Sequence, residues 1–174
     1  MENILEFLGI ALVVFSSFTI IKANLGFAPW VPTYRKDLAR IFELFSYGQS
    51  KYFLDLGCGN GRVVIESLKY GYKARGVELS LPLYLYCLVL SLFKGDKDLK
   101  FYFGDLFKFN VREADLIYVY AVPAHLTQKF VQKIIAEAKS GSTLISYCFM
   151  LPGIHCEKVV RDDANHLPLY IYKF

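Results

Sequence analysis

The feature that most limits what this chain can fold into is a glycine-rich turn set between an apolar run and a helical pattern. Residues 52–56 are short and apolar, as in a buried strand, and Asp55-Leu56-Gly57-Cys58-Gly59-Asn60-Gly61 carries the chain out of it. Residues 61–70 then show helical spacing and stop at Gly71. A turn this sharp needs residues without a Cβ, which also let a ligand approach the backbone closely. The free amides at the start of the helix favour an anionic group such as a carboxylate. The alternation repeats downstream: residues 74–79, 99–103, 116–120 and 143–148 read as strands, and residues 82–93 and 124–139 as helices. Upstream, Thr33 is placed to cap a helix with Leu38, Ile41, Phe42 and Phe45 on one face, ended by Gly48. Such alternation specifies an α/β domain with a mostly parallel sheet covered on both faces. After Pro152 and Gly153 two β-like runs, residues 157–160 and 169–174, follow without a helix between them, which predicts an antiparallel edge.

A second feature stands at the N-terminus. Residues 4–21 read ILEFLGIALVVFSSFTII, with Glu6 as their one charge. As a helix they would be about 27 Å long, close to the ~30 Å hydrocarbon thickness of a bilayer. No Lys or Arg precedes the segment, whereas Lys22, Arg35, Lys36 and Arg40 follow it, so a single-pass helix would leave the remaining chain in the cytoplasm. Phe27 and Trp30 are placed to sit at the interface. A cleaved signal peptide would call for a basic residue where Glu2 stands. The competing reading is a hydrophobic helix packed on the domain or against a second copy. Residues 82–93, PLYLYCLVLSLF, are apolar nearly all round yet too short to cross a bilayer, which predicts a helix buried on more than one side, packed on the sheet and also touching the membrane or the N-terminal helix.

The 174 residues hold one domain with a real core and little else, and a charged fraction of 21% is ordinary for a globular chain. Residues 1–22 contribute −1 (Glu2, Glu6, Lys22) to the net +4, leaving +5 on the remainder, with Lys and Arg scattered rather than massed in a stripe. A nucleic-acid groove is therefore not indicated. Cys58, Cys87, Cys148 and Cys156 lie far apart with no C-x-x-C pair, and His155 and His166 share no ligand spacing with them, so no metal site is expected.

Two further acids follow the glycine turn at successive strand ends. Glu78 ends the second strand, 21 residues after Gly57, where an acid grips ribose hydroxyls in nucleotide-binding α/β folds. Asp105, in Gly104-Asp105-Leu106-Phe107, ends the third, where its carboxylate can accept adenine amino hydrogens. A dinucleotide fingerprint would need a third glycine at position 62, which is Arg62. The spacing is G-x-G-x-G instead, and Asp55 just ahead of it can hold a methionyl amino group that a nicotinamide cofactor lacks. The ligand read from these residues is S-adenosylmethionine (SAM), with Asp55, Gly57, Cys58, Gly59, Gly61, Glu78 and Asp105 around it.

With these in place, a wider set of residues resembles a known family. Ala28-Pro29-Trp30-Val31-Pro32-Thr33, the Asp55 to Arg62 turn, Glu113-Ala114-Asp115 leading into a strand that ends Tyr120-Ala121-Val122-Pro123, and Ser146 ahead of Leu151-Pro152-Gly153 are similar to the small class I protein lysine methyltransferases. That group includes an archaeal broad-specificity enzyme and the mitochondrial enzymes acting on the ATP synthase c-subunit and the adenine nucleotide translocase. The resemblance implies a Rossmann-like class I methyltransferase with a seven-stranded, mostly parallel sheet of order 3-2-1-4-5-7-6 and an N-terminal hydrophobic helix. It implies that residues 31–33 cover the cofactor, which adds Thr33 to its site, and that the acceptor amine enters near Tyr120, Pro123 and Ser146. The organisation expected is an anchor helix at residues 1–22, a linker and cofactor-covering segment at 23–33, and the methyltransferase domain at 34–174. The chain departs from the family at Asn60, usually Asp, and at Tyr147-Cys148-Phe149, commonly a His-Asp-Phe type sequence.

Methyl transfer from a sulfonium needs mainly an in-line nucleophile held close to the methyl group. A lysine, with a solution pKa near ~10.4, must also be bound or made neutral. Tyr120 and Ser146 are the candidates to hydrogen-bond that amine, with Pro123 shaping the entrance. The expected partner is a lysine side chain of a membrane or membrane-adjacent protein. The alternatives are a lipid or other small-molecule acceptor, or SAM binding with little catalysis. Base amino-methylases carry an Asn/Asp-Pro-Pro-aromatic stretch where this chain has Ala121-Val122-Pro123-Ala124, so no pocket for a flipped base is encoded there.

Overall fold

The computed structural model describes residues 2–26, 31–45, 48, 51–161 and 165–174, with the side chains of residues 4–22 in the first helix. Phe27, Pro29 and Trp30, and with them the expected interfacial pair and part of the linker, lie outside the described residues. Seven strands form one sheet in the order β3-β2-β1-β4-β5-β7-β6, as the resemblance implies. Here β1 is Tyr52–Leu56, β2 Lys73–Glu78, β3 Leu99–Phe103, β4 Leu116–Val119 and β5 Thr143–Tyr147, all mutually parallel. The edge pair, β6 (Lys158–Val160) and β7 (Leu169–Lys173), runs antiparallel. Because β1 lies between β2 and β4, the strand order reverses beside its C-terminal end, which is where open α/β sheets bind ligands.

Alternate strand residues feed two cores. Phe53, Tyr118 and Ile145 pack with Ile41 and Phe42 of α2 (Leu38–Glu43) and Val63 and Val64 of α3 (Arg62–Leu68). Leu54, Leu56, Ile117 and Val119 pack with Phe130, Val131 and Ile134 of α5 (Gln128–Glu137) on the other face. Each such side chain contributes roughly 1.5–3 kcal/mol when fully buried, so this alternation fixes the strand register.

The helix boundaries shift where a local partner outcompetes propensity. A 3-10 turn, Arg35–Asp37, precedes α2, and Thr33 does not cap it; the Thr33 hydroxyl turns instead to the Tyr118 hydroxyl at 2.8 Å. The α2 helix ends at Glu43 rather than near Gly48. The α5 helix starts at Gln128 rather than 124, because the Thr127 hydroxyl accepts the Phe130 amide and caps it there.

The first helix, α1, runs Glu2–Gly26, four residues into the expected linker. Its Thr19 is 3% exposed, and the Thr19 hydroxyl accepts the Leu81 amide at 3.1 Å. That contact caps α4 (Leu81–Lys94) from outside, since Ser80 makes no side-chain cap of its own. The α4 helix packs on β2 and β3 and against α1, so it is covered on more than one side, yet it fully buries only Cys87 and leaves Leu85, Tyr86, Val89, Leu92 and Phe93 exposed. The sheet and α1 cover two sides of α4, and none of the described residues covers the face that carries those five.

Candidate active site

The glycine turn leaves β1 with Gly57, Gly59 and Gly61 all at positive φ. Backbone and carboxylate partners hold it: the Gly57 and Cys58 amides donate to the Val77 carbonyl at 2.9 and 3.0 Å, and the Gly59 amide donates to Glu78 Oε2 at 2.8 Å. The other Glu78 oxygen accepts the Ser80 amide at 2.7 Å. Glu78 therefore clamps the turn to the end of β2 before any ligand arrives. Two of the glycines do different work. A Cβ on Gly61 would sit 2.8 Å from the Phe101 ring, so that glycine is required for packing. A Cβ on Gly57, at φ +84, would meet nothing nearer than Leu106 Cδ2 at 3.9 Å, so Gly57 offers bare backbone to open space.

Beside that space stands Asp55, 2% exposed, whose carboxylate accepts no hydrogen bond from any described residue. Burial chiefly, and then the charge of Glu78, push its carboxyl well above the usual carboxylate range. Glu78 is raised by burial too, against the opposing pull of the Ser80, Gly59 and Leu79 amides. Of these two buried acids Glu78 is held by backbone amides, whereas Asp55 has no such donor among the described residues. Asp105 follows β3, with Oδ1 accepting the Phe107 amide at 3.0 Å and Oδ2 lying 3.9 Å from the Lys22 ammonium. Cys58 is buried, and burial holds its thiol well up, so it stays protonated and packs. Cys87 donates to the Gly59 carbonyl at 3.3 Å from beneath. Thr33 is buried over the turn, and Arg62 ties it down by donating to the Thr33 carbonyl at 3.0 Å and the Asn60 side chain at 3.1 Å. These residues fit SAM: an unpartnered carboxylate suits its ammonium, and the open Gly57 backbone suits its methionyl chain.

On the other side of the turn, β1–β4 pairing sets Leu56 opposite Val119, so Tyr120, the next residue, emerges beside Gly57. Tyr120 is half-buried, its ring edge-on to Tyr147 with centroids 4.8 Å apart, and its hydroxyl bonds to no described residue. Burial mainly, with the nearby Cys148 and Tyr34, raises its pKa, so it remains a neutral phenol. Ser146 is fully buried and donates to the Phe149 carbonyl at 2.6 Å, fixing the turn in which Cys148 takes φ +73. Pro123 is exposed at the rim. Tyr120 is thus half-buried, Pro123 exposed and Ser146 buried on this side of the turn.

Three residues that sequence reasoning passed over complete this side. Tyr118 holds the Thr33 hydroxyl, and Arg62 holds the Thr33 carbonyl. Asp37, fully buried, accepts hydrogen bonds from the Tyr147 hydroxyl and from His166, and Arg40 lies 3.4 Å away. Burial alone would raise the Asp37 carboxyl, but those hydrogen bonds and the His166 and Arg40 charges outweigh it and hold the carboxyl low. In the sequence Asp37 looks like any acid in a first helical turn. Its partners are 110 and 129 residues away, which no local pattern reveals.

Residues 55–158 match the ANTKMT methyltransferase domain, well over half of the chain. The chain belongs to the ANTKMT methyltransferase domain family. The match begins at Asp55 itself and takes in the glycine turn, Glu78, Asp105, Tyr120 and Ser146. This family member is 25% identical to a protein-lysine N-methyltransferase of Saccharolobus islandicus, over 84% of this chain and 92% of that one. It is 28% identical to the ATP synthase c-subunit lysine N-methyltransferase of Caenorhabditis elegans, over 83% and 80%. It is 27% identical to the Rattus norvegicus protein of the same name, of which it spans 57%. Among solved structures, an RNA methyltransferase from Salinibacter ruber in complex with S-adenosyl-L-homocysteine superposes with a TM-score of 0.75 at 26% identity, over 82% of this chain and 93% of that one. This ANTKMT-family domain is a SAM-dependent methyltransferase.

Proposed function

We propose that this methyltransferase is held to a membrane by α1 and methylates lysine side chains of proteins in or next to that membrane. SAM supplies the electrophilic methyl group. The chain supplies the positioning: Asp55, Gly57, Cys58, Gly59, Gly61, Glu78, Asp105 and the Thr33 cover hold the cofactor, and Tyr120, Pro123 and Ser146 shape the way in for the acceptor. The observation that carries the reading is the Tyr120 hydroxyl, unpartnered among the described residues, just past the end of the strand next to the glycine turn. As a neutral phenol it can orient an amine by hydrogen bonding without removing its proton. The curated relatives carry lysine in their names, and Ala121-Val122-Pro123-Ala124 offers no polar stacking site for a base. The helix Ile4–Lys22 is long and apolar enough to cross a membrane, and 6% of it is buried, unlike the core helix of a soluble domain. The charges that follow it favour the cytoplasmic side for the domain.

Carbonate-washed membranes holding the full chain should retain it and, given labelled SAM, should transfer label to membrane protein. Recovery of the chain in the wash would contradict the tether. Label found only in extracted lipid would contradict the lysine acceptor.

A further inference from the structure

Docked as it is, the first helix brings part of the domain to the membrane with it. Its apolar stretch, Ile4–Lys22, has 19 residues. That is about 28 Å of helix against a hydrocarbon core of ~30 Å, so every turn is needed for a span. Yet the last two turns are docked on the domain. The Phe15 ring lies 6.3 Å from Phe103, Thr19 caps α4 through the Leu81 amide, and the Lys22 ammonium is 3.9 Å from Asp105. Residues 4–14 stand clear and are all exposed. They amount to about 16 Å of helix, roughly one leaflet.

Alongside the docked turns, α4 turns an apolar face outward. Leu85, Tyr86, Val89, Leu92 and Phe93 are 42%, 51%, 50%, 81% and 86% exposed. Their spacing of i, i+1, i+4, i+7 and i+8 is that of one helix face. Contiguous apolar surface of this kind marks a contact with another apolar phase or partner. The docked half of α1 decides which: wherever α1 enters lipid, the flank carrying α4 is brought to the membrane surface with it. We propose that the exposed face of α4 is a second membrane contact, so that the domain is seated on the bilayer through α1 and α4 together. The inference rests on the membrane-tether reading and sharpens its substrate class. Glu78 and Ser80 lead directly into α4, so seating α4 fixes the cofactor site close to the lipid surface. Lysines within reach are those lying at that surface, rather than those on domains that project far from it.

The test uses the full chain in phosphatidylcholine vesicles with brominated acyl chains. Trp30 is the single tryptophan. In a Trp30→Phe background, Phe93→Trp reports on α4, and Ile135→Trp, 53% exposed on α5 across the sheet, reports on the opposite face. Both positions are exposed, so neither change disturbs the core. In vesicles that carry the protein on flotation, tryptophan at 93 should lose most of its emission relative to non-brominated lipid, with tryptophan at 135 unchanged. Unquenched emission at 93 in floating protein would overturn the α4 contact and leave the tether standing. Equal quenching at both sites, or a tryptophan at 93 shielded from bromolipid and aqueous iodide alike as by a second copy, would also overturn it. Protein that fails to float would remove the tether, and this inference with it.

Discussion

Replacing Asp55 by asparagine should weaken SAM binding by roughly 10- to 100-fold while making the ligand-free enzyme more stable at neutral pH. The loss follows from removing the charged acceptor for the SAM ammonium, since hydrogen bonds to charged groups are worth about 1.5–3 kcal/mol and each 1.4 kcal/mol is a factor of ten. The gain follows from the free protein, where Asp55 is buried with no described donor and its carboxyl is held well up by burial and by Glu78. A carboxyl raised on folding binds its proton more tightly in the folded state. Its contribution therefore favours the fold below the ordinary carboxylate pKa of ~3.9 and is lost as pH rises through the raised folded value. Asparagine carries no charge to bury, so the variant should gain about 1–3 kcal/mol at pH ~8 and nothing below pH ~4. Calorimetric titration with SAM, together with thermal unfolding at both pH values, checks the two signs at once. Parental affinity in Asp55→Asn would remove Asp55 from the site. Lower stability at pH ~8 would mean that the carboxylate has a partner in the free protein.

Tyr120→Phe should cut turnover by roughly tenfold or more, the cost of one lost hydrogen bond to the reacting amine, and leave SAM affinity unchanged. The substitution keeps the ring that packs edge-on against Tyr147, so the fold has no reason to move. Burial raises the Tyr120 pKa, so the phenol stays protonated through neutral pH and acts by orienting the amine rather than as a base. The rate should accordingly rise with pH in parent and variant alike, as more lysine becomes neutral. Single-turnover rates and SAM titration on the two proteins separate the effects. Unchanged turnover would remove Tyr120 from the acceptor side. An equal fall in SAM affinity would make it part of the cofactor pocket.

The parts of this molecule that local pattern dictates were legible in the sequence. Gly57 and Gly61 sit in a strand–turn–helix that only a tight β-α connection explains, and the alternation of short apolar strands with helical patterns set the mostly parallel sheet. The acids at three successive strand ends were legible for the same reason, since chain order alone places Asp55, Glu78 and Asp105. What was not legible depends on contacts across the fold. Thr33 reads as a helix cap until Tyr118 offers a closer partner, and nothing near Ser146 in the sequence shows that its hydroxyl donates to the Phe149 carbonyl. Asp37 gives no sign of its burial, because Tyr147 and His166 reach it from the far end of the chain. The composition of α4 tells of cover on more than one side, which the sheet and α1 supply, but not which face stays open, since that depends on where α1 docks.

The identity of the methyl acceptor decides most directly what this enzyme does. Membrane proteins from cells with and without it, digested and compared by mass spectrometry, should differ in methyl-lysine at sites close to the bilayer surface, present only where the enzyme is present. Identical lysine methylation in the two samples, with the difference found in lipid, would contradict a lysine acceptor at the membrane.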